Sequence, residues 1–366
     1  MSAIAHVEQL ARGRRDQALL MIKNVQQMSN ISAAELQLAL MQLKKHGRIA
    51  LHFHPDRLDS RGFSVVQGLL ADGIYKSQFE THISNGLLSP ELGGPRDHFE
   101  NQLFGNVYKG TKLRPKYGAL DINLHPDGPA PRFGSCYLLT NTEVSRRSTF
   151  CYLDSYRHPK EKGTFECFED VFSALLSESF ERHYGLGKAD FKPGQLVQHL
   201  GHHLQPLSRR FSQNQSANLD HYIEAQIHGN LALASDIEML VADPCYQDTE
   251  TGDLLQSLCK TYDIALAWHG GFRLDLVNVP KDFRGPSMPV LAERVAIDDA
   301  ITAHAIGQAA ANLVRAPKAW RDRGNVAQVL QEFKLLWHVL VKYGQVMPAP
   351  PAEFVANTDT DFNKNA

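Results

Sequence analysis

The sequence lacks an excess of basic residues. It contains 38 Lys and Arg against 40 Asp and Glu, which gives a formal net charge of −2. A protein that binds along a nucleic-acid backbone needs clustered Lys and Arg to neutralise phosphates. We therefore expect no nucleic-acid partner.

Long apolar runs are also missing. No run approaches the roughly 20 residues that a membrane-spanning helix needs, and the amino terminus shows no charged segment followed by an apolar one. We expect no membrane span and no cleaved signal peptide, and therefore a cytosolic location in the producing cell.

The chain has few cysteines, and their spacing shows no metal-binding or disulfide pattern. Their number is odd, and no Cys-x-x-Cys pair occurs. A disulfide framework and a zinc ribbon are therefore not indicated. We expect reduced residues in the core; the five are Cys136, Cys151, Cys167, Cys245 and Cys259.

Hydrophobic periodicity predicts helices at both ends of the chain and a mixed sheet between them. One helix is predicted over about Val7 to Met28, and Ser32 and Glu35 form a capping box that opens a second. Short apolar segments separated by Gly, Pro and Asn follow, and residues 295 to 343 show the pattern of two helices. The predicted divisions are an N-terminal helical region 1–48, a catalytic domain 49–290, C-terminal helices 291–345 and a disordered tail 346–366.

The first candidate site segment is Ile49 to Arg57, an apolar run that Pro55 stops. Side chains at the end of such a strand leave the sheet and line a cleft. Arg57 could bind a phosphate, and the alternating His52 and His54 could point the same way and hold a metal. The alternative is that the histidines are half-buried strand residues and Arg57 is a surface charge.

Two further segments carry polar side chains in unusual density. In Gly73–Gly86, hydroxyl and carboxylate groups surround two aromatic residues before a glycine turn, which is typical of a ligand-binding loop. In 222–229, polar side chains alternate with apolar ones and project from one face of a strand. A solvent-exposed face of an edge strand would give the same pattern. The polar positions are Tyr222, Glu224, Gln226 and His228.

These segments resemble the ADP-ribosyltransferase superfamily, in particular a divergent microbial branch, first described as a domain of unknown function, that includes a Legionella effector. The resemblance covers about residues 45 to 285. It implies an α/β (α+β) core of two packed small sheets, with N-terminal helices and a helical C-terminal extension. The segments that carry it are Leu51–Arg57, Ser77–Gly86, Arg114–Leu120, Pro131–Cys136 and Tyr222–Gly229.

The resemblance implies NAD as co-substrate and no metal. Cleavage of the nicotinamide–ribose bond builds positive charge on the ribose, which a carboxylate stabilises. Glu224 is the expected carboxylate. Arg57 is expected to bind the diphosphate and His54 a ribose hydroxyl.

Other roles follow from the same resemblance. Tyr75 could stack on nicotinamide or be a core tyrosine. The superfamily also places a Ser or Thr on its second strand, and which residue this is stays open. Glu80 is expected to support this loop. The hydroxyl candidates are Ser77, Thr81 and Ser84.

One departure concerns the acceptor. Arginine-modifying members have Glu or Gln two residues before the catalytic glutamate, but here that position is Tyr222, and Gln226 lies two residues after. We expect Gln226 to orient an arginine acceptor beside Glu224. The alternative is that Gln226 itself occupies the superfamily's glutamate position.

The expected function is transfer of ADP-ribose from NAD to a protein side chain, arginine by preference. The target would be a host protein such as a metabolic enzyme, and the enzyme a secreted effector or toxin. Two other classes stay open: a non-catalytic NAD-binding module, and a metal-dependent hydrolase. The hydrolase would use His52, His54, His269 and Asp243.

Overall fold

The short apolar segments between residues 49 and 268 pair into one eight-stranded sheet. The computed structural model describes residues 2–82 and 90–347. The strand order is β10-β9-β3-β1-β2-β8-β4-β5, and neighbours are antiparallel except for the β9–β10 pair. The sheet strands are β1 Ile49–Phe53, β2 Lys116–Leu120, β3 Cys136–Thr140, β4 Ser148–Tyr152, β5 Lys162–Gly163, β8 Ile223–Ile227, β9 Ile237–Ala242 and β10 Ala265–Trp268.

Two short ribbons lie outside this sheet. One pairs β6 Tyr184–Gly185 with β7 Lys188–Ala189, and the other pairs β11 Arg273–Asp275 with β12 Ala300–Thr302. The sheet and ribbons confirm the mixed α/β class. The strand pairing differs from the expected two packed small sheets, because β1 pairs with both β2 and β3 and β2 continues the ladder to β8.

Helices cover the sheet and fill both ends of the chain. The long ones form where apolar residues recur at helical spacing, and several begin at a capping residue. The helices are α1 Ala3–Arg12, α2 Arg15–Met28, α3 Ala33–His46, α4 Val65–Asp72, α5 Gln78–Thr81, α6 Pro95–Leu103, α7 Thr142–Arg146, α8 Glu169–Arg182, α9 Pro193–His202, α10 Leu233–Asp236, α11 Glu250–Tyr262, α12 Met288–Val295, α13 Ala303–Arg315 and α14 Val326–Tyr343.

Several local predictions can be compared with these bounds. The capping box is confirmed: Ser32 accepts from the Glu35 backbone, and the Glu35 carboxylate accepts from the Ser32 N–H. The prediction of a single helix over Val7 to Met28 is wrong, because the helix is interrupted at Gly13, between α1 and α2. The tail prediction lies outside the described residues from position 348 onward.

The C-terminal helix α14 packs against the segment that precedes β3. Trp337 of α14 is almost fully buried, and its indole N–H donates to the Pro131 carbonyl at 2.9 Å. Pro131 begins the short 3-10 helix Pro131–Phe133, which precedes β3. None of the helices among the described residues is long and apolar enough to cross a membrane. All five cysteines are free.

The buried guanidinium of Arg114 joins α5 and α6 to the start of β2. It forms ion pairs with Asp97 and, at 3.3 Å, with Glu100, both on α6. Its planar face lies over the ring of Phe79 on α5, 4.5 Å from the centroid. Because Arg114 directly precedes Pro115 and β2, this contact holds α5 and α6 at the start of the strand.

Arg114→Met should lower the free energy of unfolding by about 3–5 kcal/mol, because Asp97 would lose its ion-pair partner and Glu100 one of its two arginine partners. Urea unfolding measures the change. The control is Arg146→Met, which removes an ion pair with Glu143 whose side chains are 67% and 69% exposed. That pair should contribute less than about 1 kcal/mol. Equal losses in the two variants would contradict the role of Arg114.

Candidate functional site

A cavity of about 210 Å³ opens at the front of the sheet. It lies where the ends of β1, β2 and β8 face the loop that follows β1 and the turn that follows β4. The three polar segments singled out in the sequence all reach it. Six of the residues assigned to NAD binding and catalysis line this cavity, together with His52 and Tyr222: His54, Arg57, Tyr75, Ser77, Thr81 and Glu224.

Glu224 is the acidic residue on the floor of the cavity. It lies on β8 between β2 and β4, opposite Ala119 and Cys151, and is only 7% exposed. Burial and the nearby Asp154 carboxylate raise the pKa of Glu224 to about 7, while hydrogen bonds from Ser155 and Gln226 act in the opposite direction. A carboxylate with such a pKa changes charge near neutral pH, as catalytic groups often do.

A chain of hydrogen bonds runs from Glu224 through the interior of the sheet. Gln226 donates from Nε2 to Glu224 Oε1 at 2.9 Å, and Thr149 donates to Gln226 Oε1 at 2.7 Å. Beyond Thr149, the ring of His228 lies 3.0 Å from the Thr149 hydroxyl, and the Tyr108 hydroxyl lies 2.6 Å from His228 Nδ1. We call these five residues the Glu224 relay.

One set of proton positions satisfies every bond of the Glu224 relay. Since the single proton of Thr149 goes to Gln226, the Thr149 oxygen accepts from Nε2–H of His228. Nδ1 of His228 then accepts from the Tyr108 hydroxyl. Burial lowers the pKa of His228 to about 4, which keeps the ring neutral as this pattern requires. Each residue of the relay therefore donates its hydrogen bond in the direction of Glu224, and the last of these bonds favours the ionised form of the Glu224 carboxyl.

Gln226 lies beside Glu224, as predicted, but its side chain does not reach the cavity where an acceptor would bind. It is fully buried, and both ends of its amide are used by Glu224 and Thr149. The physical reason is that β8 lies inside the sheet, so only its first polar positions reach the cavity. Gln226 therefore contacts the Glu224 carboxylate from the sheet interior, on the side away from the cavity.

His52 is a structural histidine. Its Nδ1 lies 3.2 Å from the Gly134 carbonyl, and its Nε2 accepts from the Ala130 N–H at 3.2 Å. Burial lowers its pKa to about 3. Both ring nitrogens are therefore held by backbone groups, which agrees with the interpretation of a strand residue, although His52 is more deeply buried than expected.

The other candidate metal ligands are similarly engaged. His269 contacts the Ser135 carbonyl through Nε2 and accepts the Gly271 N–H through Nδ1. Both oxygens of Asp243 accept backbone N–H groups. Within residues 2–82 and 90–347, no group of three or more His, Cys, Asp or Glu is arranged to hold a metal ion. This geometry gives the hydrolase hypothesis no support.

His54 and Arg57 lie at the basic side of the cavity. The His54 ring packs edge-on against Trp337 with centroids 4.9 Å apart. Burial, with Arg57 as the next cause, lowers the pKa of His54 to about 3, so the ring is neutral. A neutral imidazole can donate one hydrogen bond to a ribose hydroxyl while Arg57 supplies charge.

The hydroxyl candidates do not lie on a strand. Glu80, three residues after Ser77, completes a capping box that begins helix α5, so the expected second-strand assignment of Ser77 and Thr81 is wrong. The Ser77 hydroxyl lies 2.7 Å from Glu80 Oε2, which agrees with the expected supporting role of Glu80. Ser84 lies outside the described residues.

Tyr75 lies in the loop after α4, which contacts the segment between β8 and α10. Its backbone N–H donates to the Leu231 carbonyl at 2.8 Å, and the neighbouring Ile74 forms only an isolated bridge with Ala232. Burial raises the pKa of Tyr75 to about 12, so its hydroxyl stays protonated beside the cavity.

Sequence reasoning missed many of the polar residues that line the cavity, and four of them bear on its chemistry. Asp154 and Ser155 follow the end of β4, and a carboxylate just after a short apolar segment was the signal that could have found Asp154. Lys334 gave no such signal, because a lysine on an amphipathic helix normally faces solvent. Arg132 follows Pro131 in a segment noted only as part of the resemblance.

The raised pKa of Glu224 predicts a pH-dependent gain in stability for Glu224→Gln. A carboxyl whose pKa rises from 4.5 to about 7 on folding stabilises the fold while protonated, and this contribution is lost as pH rises to 7. Relative to wild type, the variant should gain about 3 kcal/mol at pH 8 and less than about 1 kcal/mol at pH 5. Urea unfolding at both pH values measures this. The exposed Glu143→Gln should give no such change, and a pH-independent difference for Glu224→Gln would contradict the assignment.

Loss of the Thr149 hydroxyl should break the Glu224 relay in its middle. Thr149→Val leaves Gln226 Oε1 and His228 Nε2 buried without a partner, which should lower the free energy of unfolding by about 1–3 kcal/mol. Thr149→Ser keeps the hydroxyl and should recover most of that loss. Chemical denaturation measures both variants. A valine variant as stable as the serine variant would show that the relay is not needed.

Comparison with known proteins places the chain in a family without giving it an activity. No curated protein matches the chain. One family model, described as "Protein of unknown function (DUF3626)", matches residues 48–343. This range includes the sheet, every described residue of the candidate site and helix α14. The chain therefore belongs to the DUF3626 family.

Proposed function

We propose that the protein is a mono-ADP-ribosyltransferase that moves ADP-ribose from NAD to a protein side chain, arginine by preference, and releases nicotinamide. The observation that supports this proposal is the convergence of three separate segments on one cavity. His54 and Arg57 come from the end of β1, Tyr75 from the following loop, and Glu224 from β8. Cleavage of NAD needs groups that bind its diphosphate, ribose and nicotinamide, together with a carboxylate, in one cavity.

The described residues fit the parts of NAD. Arg57 is a forked cationic donor suited to the diphosphate, and neutral His54 can hydrogen-bond a ribose. Tyr75 presents an aromatic ring for nicotinamide. When bound, NAD supplies a glycosidic bond whose cleavage leaves positive charge on the ribose.

Glu224 is the group proposed to stabilise that charge. The Glu224 relay holds its carboxylate in one orientation, so little reorganisation is needed as charge develops. A positively charged ligand would also favour the ionised form of a carboxyl whose pKa is about 7. Gln226 acts as a positioning residue, since it contacts Glu224 from behind.

Asp154 is proposed to orient the acceptor in place of Gln226. It lines the same cavity, and its charge influences Glu224. Two neighbouring carboxylates attract a guanidinium and favour its approach with a nitrogen aimed at the ribose. The arginine preference rests on this pair. The target is proposed to be a host protein, such as a metabolic enzyme, which the protein reaches as a secreted effector.

The test uses purified protein, NAD labelled on the adenylate part, and a host lysate. Wild type should release nicotinamide and label a protein. Glu224→Gln should lower both rates by about 100-fold or more with NAD affinity within a few-fold, because the lost interaction acts mainly in the transition state. Nicotinamide is quantified by chromatography and the label by gel.

The matched control is Glu143→Gln, an exposed change on α7 that should keep wild-type rates. A Glu224→Gln enzyme with near-normal turnover would exclude Glu224 as the catalytic residue. Wild type that binds NAD without releasing nicotinamide would support the non-catalytic binding module. Release of the label within minutes by neutral hydroxylamine would contradict an arginine acceptor.

A further inference from the structure

The last helix of the family region contributes to the cavity. The hydrogen bond from Trp337 to Pro131 holds α14 against the short helix that carries Arg132. Lys334 precedes Trp337 by three residues and lines the cavity, as do Arg132 and Arg57. His338 follows Lys334 by one helical turn, so both side chains leave the same face of α14.

This corner contains nitrogen atoms without partners. Within residues 2–82 and 90–347, Lys334 makes neither a hydrogen bond nor an ion pair. Nε of Arg132, Nε of Arg284 and both ring nitrogens of His338 are buried and also lack a partner there. His338 is 2% exposed. Buried donors of this kind are normally satisfied, so each of these needs an explanation.

Other cations of the cavity have partners. Arg61 is paired with Asp59 and Asp72, and Lys116 donates to a backbone carbonyl. Arg132 itself reaches Asp220 with one terminal nitrogen at 2.5 Å, which leaves its Nε free. Among the described residues that line the cavity, Gln78 Oε1 and the Tyr222 hydroxyl also lack a partner, but the buried nitrogen atoms without one lie near α14.

The electrostatics of this corner disfavour positive charge. Burial, Arg132 and Arg57 lower the pKa of Lys334 to about 8, and Arg284 acts in the same direction. Burial, Arg132 and Arg284 lower the pKa of His338 to about 2, so its ring is a neutral donor. An anion placed here would remove the repulsion and satisfy the free donors at once.

We infer that Arg132, Arg284, Lys334 and His338 form an anion subsite, and that it binds a phosphate group of a nucleotide diphosphate. A phosphate carries more charge than a carboxylate and accepts hydrogen bonds on several oxygens, which suits a set of converging donors. The position beside Arg57 suits the second phosphate of a diphosphate. The identification of the nucleotide as the ADP part of NAD rests on the proposed function.

The test compares ADP with adenosine, which lacks only the phosphates, by isothermal titration calorimetry on the full chain. Wild type should bind ADP at least tenfold more tightly than adenosine. Lys334→Gln should weaken ADP binding about tenfold or more and leave adenosine binding unchanged. Lys342→Gln changes an exposed lysine of the same helix and should match wild type. Inorganic pyrophosphate should compete with ADP in wild type.

A second variant separates charge from side-chain loss. Wild-type affinity for ADP should fall as pH rises through 8, since Lys334 then loses its proton, whereas Lys334→Arg should keep its affinity to pH 9.5. The charged groups that face Lys334 are Arg57, Arg132, Arg284 and Asp154, and these are common to both proteins. Parallel pH profiles would contradict the role of Lys334.

Three results would overturn the subsite: equal affinities for ADP and adenosine, equal behaviour of the Gln variants at 334 and 342, or stronger competition by glutamate than by pyrophosphate. The last would indicate a carboxylate ligand. The subsite and the proposed function can be rejected independently of each other. NAD cleavage with Lys334-independent ADP binding would reject the subsite alone, and Lys334-dependent ADP binding without nicotinamide release would reject the transferase alone.

Discussion

The burial of one carboxylate inside a hydrogen-bonded sheet is the constraint on which the candidate site depends. Glu224 lies on β8 with a strand on each side, so its charge is shielded from water and its pKa is raised to about 7. A buried carboxylate needs hydrogen bonds, and the Glu224 relay supplies one through Gln226. The relay in turn needs Thr149 opposite Gln226 on the neighbouring β4, and His228 directly after the end of β8.

The cavity around Glu224 has walls of opposite charge. Asp154 and Glu224 form an acidic side, and Arg57, Arg132 and Lys334 form a basic side. Like charges that face each other lower stability, and here they occur on both sides without full compensation within the described residues. Concentrated unfavourable electrostatics of this kind are typical of binding and catalytic sites. A ligand with both a cationic and an anionic part would match both walls.

The scaffold behind the cavity is built from paired charges of the ordinary kind. Arg114 holds α5 and α6 to the start of β2 through two carboxylates and an aromatic ring. Glu80 caps α5 through Ser77, which turns a segment rich in hydroxyl groups into a helix start. These contacts explain how the polar side chains of Ser77 and Glu80 can hold helix α5 beside the cavity without taking part in a reaction there.

The sequence alone determined the local elements. An apolar run stopped by Pro55 placed β1, apolar alternation placed β8, and the Ser32–Glu35 capping box placed the start of α3. The period-2 pattern also put Glu224 and Gln226 on one face, but it could not show which of them reaches solvent, because that depends on β2 and β4 pairing on either side.

Only the tertiary structure decided what those residues touch. The capping interaction of Ser77 depends on a local alternative to a strand that periodicity does not reveal, and the place of Asp154 depends on the pairing of β4 with β8. Lys334 lies over 100 residues beyond Glu224 in the chain, and Trp337 brings it to the cavity by a hydrogen bond to Pro131. Sequence patterns record which face of an element is apolar, whereas a site is made where faces of distant elements meet.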